Sequence, residues 1–409
     1  MSLKSLTLDR ISGGLILGAI LLALIAANSP LVDLYDAIHH ISIRIGLTPY
    51  VIDEPLIVWI NQGLMTFFFV LVGVEIKREL LEGHLSSLRR AALPAIAAFG
   101  GMVVPALIFA AITASDGAAL RGWAIPMATD IALALAILSL LGGRAPVGLK
   151  IFLMALAIFD DIGAVVIIAV FYGEEIQILP MLLALATFAV MVGLNRIGHA
   201  RPPALTALGV VLWVALFRSG IEPALAGVLI AAVVPNGARD SGAPSPLLRT
   251  ERLLHPWAGL LIVPLFGFFN AGVTVAPETV RNVTGGVSLG VFLGLFLGKQ
   301  IGVFGATWCA VKLKLGLLPA GVGFRHIYGA SLLAGVGFTM GLFVTALAFG
   351  ASEMAASARL AILAGSGLSA VAGLLVLWFA QDARPGQGGG ADRRRQDQQD
   401  KQPGHADRV

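Results

Sequence analysis

Four ionisable residues interrupt apolar stretches of the chain: Asp130, the adjacent pair Asp160 and Asp161, and Lys299. On membrane-insertion scales a charged side chain at the centre of an apolar helix costs roughly 2.5–3.5 kcal/mol, so four cost on the order of 10–14 kcal/mol. A purely structural ion-pair network would balance its charges, whereas here three carboxylates accompany one ammonium. We therefore expect the excess carboxylates to bind protons, cations or both.

Asp160 and Asp161 are neighbours, so on a helix their side chains point about 100° apart. One can contact a neighbouring helix while the other faces a cavity. Two carboxylates this close cannot both ionise cheaply, so the pair is expected to hold a proton. Carboxylate oxygens also suit hard cations. The pair therefore indicates a site at which a proton and a cation compete.

Lys299 lies in the middle of another apolar stretch, between Leu297 and Ile301. A lysine near the end of a membrane helix can extend its side chain to the interface, but this position is too central for that. An ammonium at such a depth needs a counter-charge. We expect Lys299 to pair with one of the aspartates.

The rest of the chain has the composition of a membrane protein. Hydrophobic residues make up 57% and charged residues 13% of its 409 residues, and the mean hydropathy is +0.88. A water-soluble domain is normally about 25% charged. The apolar runs are long enough for bilayer-spanning helices and lack the alternation of a membrane β-barrel. We predict an all-α polytopic fold of twelve transmembrane helices, near residues 11–29, 57–76, 91–113, 122–142, 149–172, 178–194, 204–217, 223–235, 256–276, 286–310, 327–349 and 360–380.

Basic residues give this arrangement a direction. The runs at 204–217 and 223–235 are short enough to be re-entrant or buried. If all twelve runs span the membrane, and the C-terminal tail is left out of the count, sixteen Lys and Arg fall in segments on one side of the membrane and five on the other. Cytoplasmic segments carry the excess, so both termini are predicted to be cytoplasmic. The basic residues separate apolar runs and form no basic face, so no nucleic-acid partner is expected.

Two segments differ from the transmembrane domain predicted for residues 1–380. In one, Ile41, Ile43 and Ile45 alternate with polar residues before a turn-like Gly46–Pro49, which predicts a β-hairpin near 41–55 outside the membrane. Because an isolated hairpin is marginal, pairing with a second copy in a homodimer is predicted. Residues 381–409 are rich in Gly, Gln, Asp and Arg, which predicts a disordered cytoplasmic tail.

Helix-breaking residues accompany the buried charges. The fourth span has Pro126 and Thr129 close to Asp130, and the eleventh has Gly335 and Gly337 near its centre. Interrupted spans at corresponding positions of two halves indicate a transporter built from inverted repeats, here spans 3–5 and 10–12. If the broken ends meet, Asp130 would offset the positive N-terminal ends of half-helices and Lys299 the negative C-terminal ends.

At these motifs the sequence resembles the NhaA family of sodium/proton antiporters over roughly residues 10–380. The resemblance rests on FFFVLVGVEIKREL, GWAIPMATDIALA, LKIFLMALAIFDDIGA, LHPWAGLLIVPLFGFFNAGV, GKQIGVF and GVGFTMGLF. It implies a twelve-helix fold, a hairpin dimer and electrogenic, pH-regulated exchange of sodium or lithium for protons across the bacterial inner membrane. It implies no cofactor, which agrees with the single cysteine, Cys309.

The resemblance also assigns expected roles to single residues. It implies that Asp160 and Asp161 bind the cation and carry protons, that Thr129 and Asp130 are broken-helix ligands, and that Lys299 pairs with Asp160. It further implies a pH response by charged residues near the cytoplasmic face, which are Glu75, Arg78, Glu79, Glu251 and His255.

One residue departs from the family's pattern, and two other functions remain open. Glu222 stands where family members carry a histidine, and because a carboxylate titrates below imidazole, a different pH profile is expected. A passive cation channel is the main alternative. An intramembrane aspartyl protease also uses two aspartates, but it takes them from two helices, whereas Asp160 and Asp161 share one.

Overall fold

The computed structural model describes residues 3–46, 51–173, 175–199, 201–237, 244–275 and 285–380. Most of the predicted hairpin turn and the whole predicted tail at 381–409 lie outside these ranges. Within them the helices are, in chain order, α1 (Leu3–Ala27), α2 (Val32–His39), α3 (Leu56–Leu81), α4 (Leu88–Thr113), α5 (Gly117–Met127), α6 (Ile131–Leu140), α7 (Val147–Phe171), α8 (Ile178–Arg196), α9 (Pro202–Ser219), α10 (Leu225–Val233), α11 (Pro246–Ala271), α12 (Gly286–Lys312), α13 (Phe324–Ala334), α14 (Phe338–Phe349) and α15 (Glu353–Phe379).

The all-α polytopic fold predicted from composition is confirmed. Among the described residues, eight helices are long and apolar enough to cross a membrane, and three bent pairs bring the number to as many as eleven. The bent pairs are α1 with α2, α5 with α6, and α13 with α14. Large apolar side chains such as Leu179 and Val147 face outward, as expected of surfaces that contact lipid.

The predicted count of twelve spans is not confirmed, and the difference lies at α10. This helix has nine residues, which at 1.5 Å each is about half of a bilayer core. It packs so closely on α3 that a Cβ on Gly227 would lie 2.7 Å from the backbone nitrogen of Val70. Ser219, the last residue of α9, and Glu222, in the non-helical segment before α10, are both buried. Non-helical backbone is tolerated at membrane depth where protein covers it, so a short helix suffices here.

A row of glycines on α12 allows this helix to pack closely against α4. They recur at every fourth position, at Gly286, Gly290, Gly294, Gly298 and Gly302. A Cβ on Gly290 would lie 2.8 Å from Cδ2 of Phe109, and one on Gly302 would overlap the carbonyl oxygen of Gly100. Small residues at this spacing let membrane helices approach closely. The row thereby fixes the position of Lys299, which lies on the same helix.

The backbone of α12 is also unusual around Lys299. π-Helical turns at Gly294–Gly298 and Gln300–Phe304 flank this residue on both sides. A π turn shifts the helical hydrogen-bond pattern by one residue, and such turns are frequent at functional sites. The Gln300 side chain reinforces the first turn, because its Nε2 donates to the carbonyl oxygen of Phe296 at 2.6 Å.

A two-stranded antiparallel sheet follows α2. Its strands are β1 (Ser42–Ile45) and β2 (Ile52–Pro55), and Ile43 lies opposite Glu54 in the register. These strands fall where the alternation of isoleucines predicts a hairpin. The hairpin is tied to the helices, because the indole nitrogen of Trp59 donates to the Ile43 carbonyl oxygen at 3.2 Å.

Candidate cation- and proton-binding site

Two broken helices cross at the centre of the molecule. α5 and α6 meet at an angle of 43°, and α13 and α14 meet at 41°. The backbone nitrogen of Asp130, in the first break, donates to the carbonyl oxygen of Val336, in the second, at 2.6 Å. Ser366 of α15 supports the second break, because its hydroxyl accepts a hydrogen bond from the Gly337 nitrogen at 3.1 Å. The crossing therefore satisfies backbone groups that the breaks release from helical bonding.

Asp130 lies at the N-terminal ends of both α6 and α14. Its Oδ1 accepts from the Leu133 nitrogen at 3.0 Å, which makes it the N-cap of α6. Its Oδ2 accepts from the nitrogen of Thr339 at 3.2 Å and from the Thr339 hydroxyl at 2.7 Å. Helix N-termini attract negative charge and need acceptors for their free N–H groups. One buried carboxylate thus caps two half-helices.

Asp160, Lys299 and Thr129 form a compact buried group. The Lys299 ammonium lies 2.7 Å from Oδ2 of Asp160, and both side chains are 0% exposed. It also donates to the Thr129 hydroxyl at 3.0 Å. The other carboxylate oxygen of Asp160, Oδ1, is buried and has no hydrogen-bond partner among the described residues. The negative charge of Asp160 is therefore neutralised on one oxygen only.

The Thr129 hydroxyl connects this ion pair to a helix end. Its oxygen lies 2.6 Å from Oδ2 of Asp160 and 2.9 Å from the carbonyl oxygen of Ala334, the last residue of α13. A hydroxyl has a single proton to donate, so these two acceptors compete for it. Lys299 thus reaches the negative C-terminal end of a half-helix through Thr129.

Asp161 is buried at 5% exposure, yet no hydrogen bond holds its carboxyl group in the described part of the chain. It lies in the field of three other carboxylates, on Asp160, Glu75 and Asp130, and of the Lys299 ammonium. The paired aspartates therefore differ in surroundings. Asp160 is held by an ion pair, whereas Asp161 has excess negative charge around it.

The site is closed around Asp160 in this arrangement. A cavity of about 10 Å³ adjoins Asp160 on the side of Ala164 and Ile168, roughly the least volume that accommodates one water molecule. No three His, Cys, Asp or Glu among the described residues are grouped closely enough to hold a metal ion. A cation could therefore contact Oδ2 of Asp160 only if the Lys299 ammonium moved away or lost its proton.

The charged residues near the ends of α3 and α11 form a second cluster. Arg78 forms ion pairs with Glu79 at 2.9 Å and with Glu251 at 3.2 Å. His255 lies close enough to Glu251 for their charges to interact. Glu75 is one helical turn from Glu79 on α3 and interacts electrostatically with Asp161. All five residues expected to respond to pH thus lie in one charged region that extends towards the buried aspartates.

Several polar residues of the crossing were absent from the sequence-based site. Thr339 bonds Asp130 twice, and Ser366 supports the opposite break. Thr339 lies inside the glycine-rich motif of the eleventh predicted span, so the sequence could have identified it as a site residue. Ser366 sits in a Gly-Ser-Gly segment of α15 that resembles ordinary small-residue packing. Away from the crossing, the amides of Asn61 and Asn270 bond each other at 2.7 and 3.1 Å; Asn270 lies inside a motif of the family resemblance, whereas Asn61 had no such signal.

The fold and the site define a class of protein: a multi-pass membrane protein with ionisable residues buried where two discontinuous helices cross, which is the architecture of a secondary transporter. Comparison with known proteins specifies the family. The Na⁺/H⁺ antiporter 1 family model matches residues 4–377. The chain belongs to this family.

Relatives from several bacteria are similar over almost their whole length, and each of the following is named Na⁺/H⁺ antiporter NhaA. The protein of Rhodospirillum rubrum is 52% identical over 380 residues, which cover 91% of this chain and 95% of the relative. The protein of Pseudomonas putida is 49% identical over 375 residues, covering 91% and 96%. The protein of Aeromonas hydrophila is 46% identical over 380 residues, covering 92% and 95%.

Proposed function

We propose that the chain is a secondary active transporter that exchanges sodium or lithium for protons across the bacterial cytoplasmic membrane. The observation that carries this proposal is the buried pair Asp160 and Asp161, of which only Asp160 is neutralised by the ammonium of Lys299. A surplus of buried carboxylates must take up positive charge. The names of the relatives specify the two ions.

The exchange mechanism follows from competition at these carboxylates. A sodium ion has to displace the proton of Asp161, and the ammonium from Oδ2 of Asp160, before both carboxylates can bind it. A proton returning to Asp161, or Lys299 returning to Asp160, expels the ion in turn. The site can therefore bind either sodium or protons, but not both at once. This competition couples the flux of sodium to the flux of protons.

Asp130 and Thr129 hold the site in place during this cycle. Asp130 fixes the N-terminal ends of α6 and α14, and Thr129 supplies a hydroxyl between Asp160 and the end of α13. When the Lys299 ammonium leaves Asp160, the Thr129 hydroxyl can donate its proton either to Asp160 or to the carbonyl oxygen of Ala334. We infer that Thr129 thereby compensates charge at the break as the occupant changes.

The second charged cluster suits a regulatory role. Arg78 joins Glu79 and Glu251, and Oε2 of Glu251 is buried with no hydrogen-bond partner among the described residues. Protonation of either glutamate would weaken its pairing with Arg78. The interaction of Glu75 with Asp161 offers a route from this cluster to the ion site. We infer that the cluster adjusts exchange to cytoplasmic pH.

Orientation and assembly belong to the same proposal. The excess of Lys and Arg supports a topology with both termini in the cytoplasm and the hairpin outside it. In the hairpin the side chain of Ile45 is 53% exposed, and a two-stranded sheet leaves strand edges open to a further strand. We infer a homodimer in which hairpins of two copies pair.

Flux in proteoliposomes separates exchange from the passive channel. The purified chain is reconstituted, and a ²²Na⁺ gradient is imposed with and without an opposing pH gradient. An antiporter accumulates ²²Na⁺ against its gradient when a pH gradient of the right sign is present, and it moves protons when sodium is added. Sodium that only runs down its own gradient, indifferent to pH, would identify a channel.

A further inference from the structure

An open apolar groove lies between α12, the start of α13 and the end of α15. It has a volume of about 540 Å³, which is in the range of small-molecule sites. Its walls are apolar and aromatic, and Arg325 is the charged residue at its rim. The groove is thus an amphipathic site, with an apolar trough and a cationic end.

Aromatic packing keeps one wall of the groove in place. The ring of Phe304 packs edge to face against Phe324, with centroids 6.2 Å apart, and against Tyr328, with centroids 5.7 Å apart. The opposite wall is formed by Leu375 and Phe379 of α15, whose side chains are exposed. A membrane-facing trough of this kind is suited to a hydrocarbon chain.

The charge at the rim points to an anionic headgroup. Arg325 is exposed, and within the described ranges it forms no ion pair. By the distribution of Lys and Arg, this end of α13 faces the cytoplasm, where the lipid leaflet carries negative charge and basic pockets between helices bind acidic headgroups. The polar composition of residues 381–409 does not match an apolar trough.

We propose that this groove binds an anionic phospholipid, with its phosphate on Arg325 and one acyl chain along Phe304, Tyr328 and Leu375. The planar guanidinium group can donate two parallel hydrogen bonds to two oxygens of a phosphate. The apolar trough binds the acyl chain, which free phosphate lacks, so the groove should prefer a phospholipid to free phosphate. Phosphatidylglycerol is the probe lipid for this chemistry.

The groove is also connected to the segment that carries Lys299. The hydroxyl of Tyr328 donates to Oε1 of Gln300 at 2.8 Å, and Nε2 of Gln300 donates to Phe296 in the π turn that precedes Lys299. A lipid that fixes the Tyr328 ring therefore steadies this turn. Occupancy of the groove is expected to raise the rate of exchange, a consequence that rests on the proposed function.

Lipid retention tests the binding site without any transport assay. The full chain in detergent is titrated with dioleoylphosphatidylglycerol or dioleoylphosphatidylcholine, and bound lipid is counted by native mass spectrometry. We expect wild type to retain one phosphatidylglycerol with preference over phosphatidylcholine. Arg325→Gln should lower the apparent affinity about ten-fold, because it removes a charge-assisted contact. Leu375→Trp should abolish retention by filling the trough while preserving Arg325.

The matched control is Arg196→Gln, which removes an exposed arginine from the end of α8, on the same predicted face. It should retain phosphatidylglycerol as wild type does. Three results would overturn the proposal: equal losses in Arg196→Gln and Arg325→Gln, unchanged retention in Leu375→Trp, or displacement of the lipid by millimolar inorganic phosphate.

The connection to Lys299 is tested with Tyr328→Phe, which keeps the ring and removes the hydroxyl. This variant should still retain phosphatidylglycerol, but its exchange in proteoliposomes should no longer increase when phosphatidylglycerol replaces phosphatidylcholine. Stimulation equal to that of wild type would contradict the connection. If the chain exchanged no ions at all, the retention measurements would still decide whether the lipid site exists.

Discussion

The ammonium of Lys299 lies 2.7 Å from Oδ2 of Asp160, and neither side chain is exposed to solvent. The same ammonium bonds Thr129, which in turn reaches the end of a broken helix. One ion pair therefore stabilises the crossing of the discontinuous helices and also occupies Oδ2 of the carboxylate to which we assign cation binding. In the proposed exchange, stability and transport are linked at this ion pair.

The stability of this ion pair can be measured directly. Lys299→Ala should lower the melting temperature in detergent, because it leaves Asp160 as an unpaired buried acid, a loss of about 3–5 kcal/mol for a buried pair. Adding Asp160→Asn removes the stranded charge and should restore much of the loss. Differential scanning fluorimetry of both single mutants and the double mutant gives the coupling. Purely additive losses would show that the residues are not energetic partners.

Asp130 is expected to contribute through both its oxygens and its charge. Asp130→Ala removes the acceptor that caps α6 and bonds Thr339, and should cost about 1–2 kcal/mol of stability per cap. Asp130→Asn keeps one carbonyl oxygen and should cost less. Thermal unfolding in detergent compares the two, and Asp33→Ala, at an exposed position of α2, serves as the control. Equal losses in Asp130→Ala and Asp33→Ala would contradict the capping role.

The glycine row on α12 offers a test of close packing. Gly302→Ala places a methyl group against the backbone of Gly100, which cannot move aside as a side chain could. Such overpacking costs about 1–3 kcal/mol. Gly305→Ala is the matched control, because its Cβ meets nothing within 4 Å. Melting temperatures should fall for Gly302→Ala alone, and a normal value for that variant would show that α4 and α12 are not in this contact.

Charge movement follows from the number of protons displaced. If the site formed by Asp160, Asp161 and Lys299 releases two protons for each monovalent cation that it binds, each cycle moves net charge. A potential of 100 mV then contributes roughly 2.3 kcal/mol per charge. Exchange in proteoliposomes should accelerate when valinomycin and potassium impose a potential of the favourable sign. Rates that do not change with the imposed potential would exclude this stoichiometry.

Much of this architecture could be predicted from the residues themselves. Pro126 and the pair Gly335 and Gly337 lie at the two broken helices, because proline and glycine weaken the interior of a helix. Asp130 is placed correctly among half-helix ends because it follows the first break in the chain. Such local signals need no knowledge of the neighbouring helices.

Other features depend on packing between distant segments. Asp160 and Asp161 are adjacent, so helical periodicity alone could not predict which one faces Lys299. The orientation of α7 about its axis and the packing of α12 against α4 determine that Asp160 does. The twelfth predicted span is not confirmed at α10, where α3 covers the short helix, a relation between residues far apart in sequence. The hydrogen bond from Tyr328 to Gln300 likewise joins two helices and leaves no periodic trace.

Asp161→Asn tests most directly whether Asp161 is a carboxylate that binds both the cation and protons. The substitution removes a negative charge and a titratable group while preserving size. The measurement is sodium-dependent collapse of a pH gradient in everted membrane vesicles, with Asp36→Asn, at an exposed position of α2, as the control. Expression and melting temperature are checked for both variants.

We predict that Asp161→Asn is expressed and folded but exchanges no sodium for protons, whereas Asp36→Asn exchanges as wild type does. The reason is that a cation would face one carboxylate in place of two, and a proton would have no site to return to. Exchange at the wild-type rate in folded Asp161→Asn would contradict the proposed site.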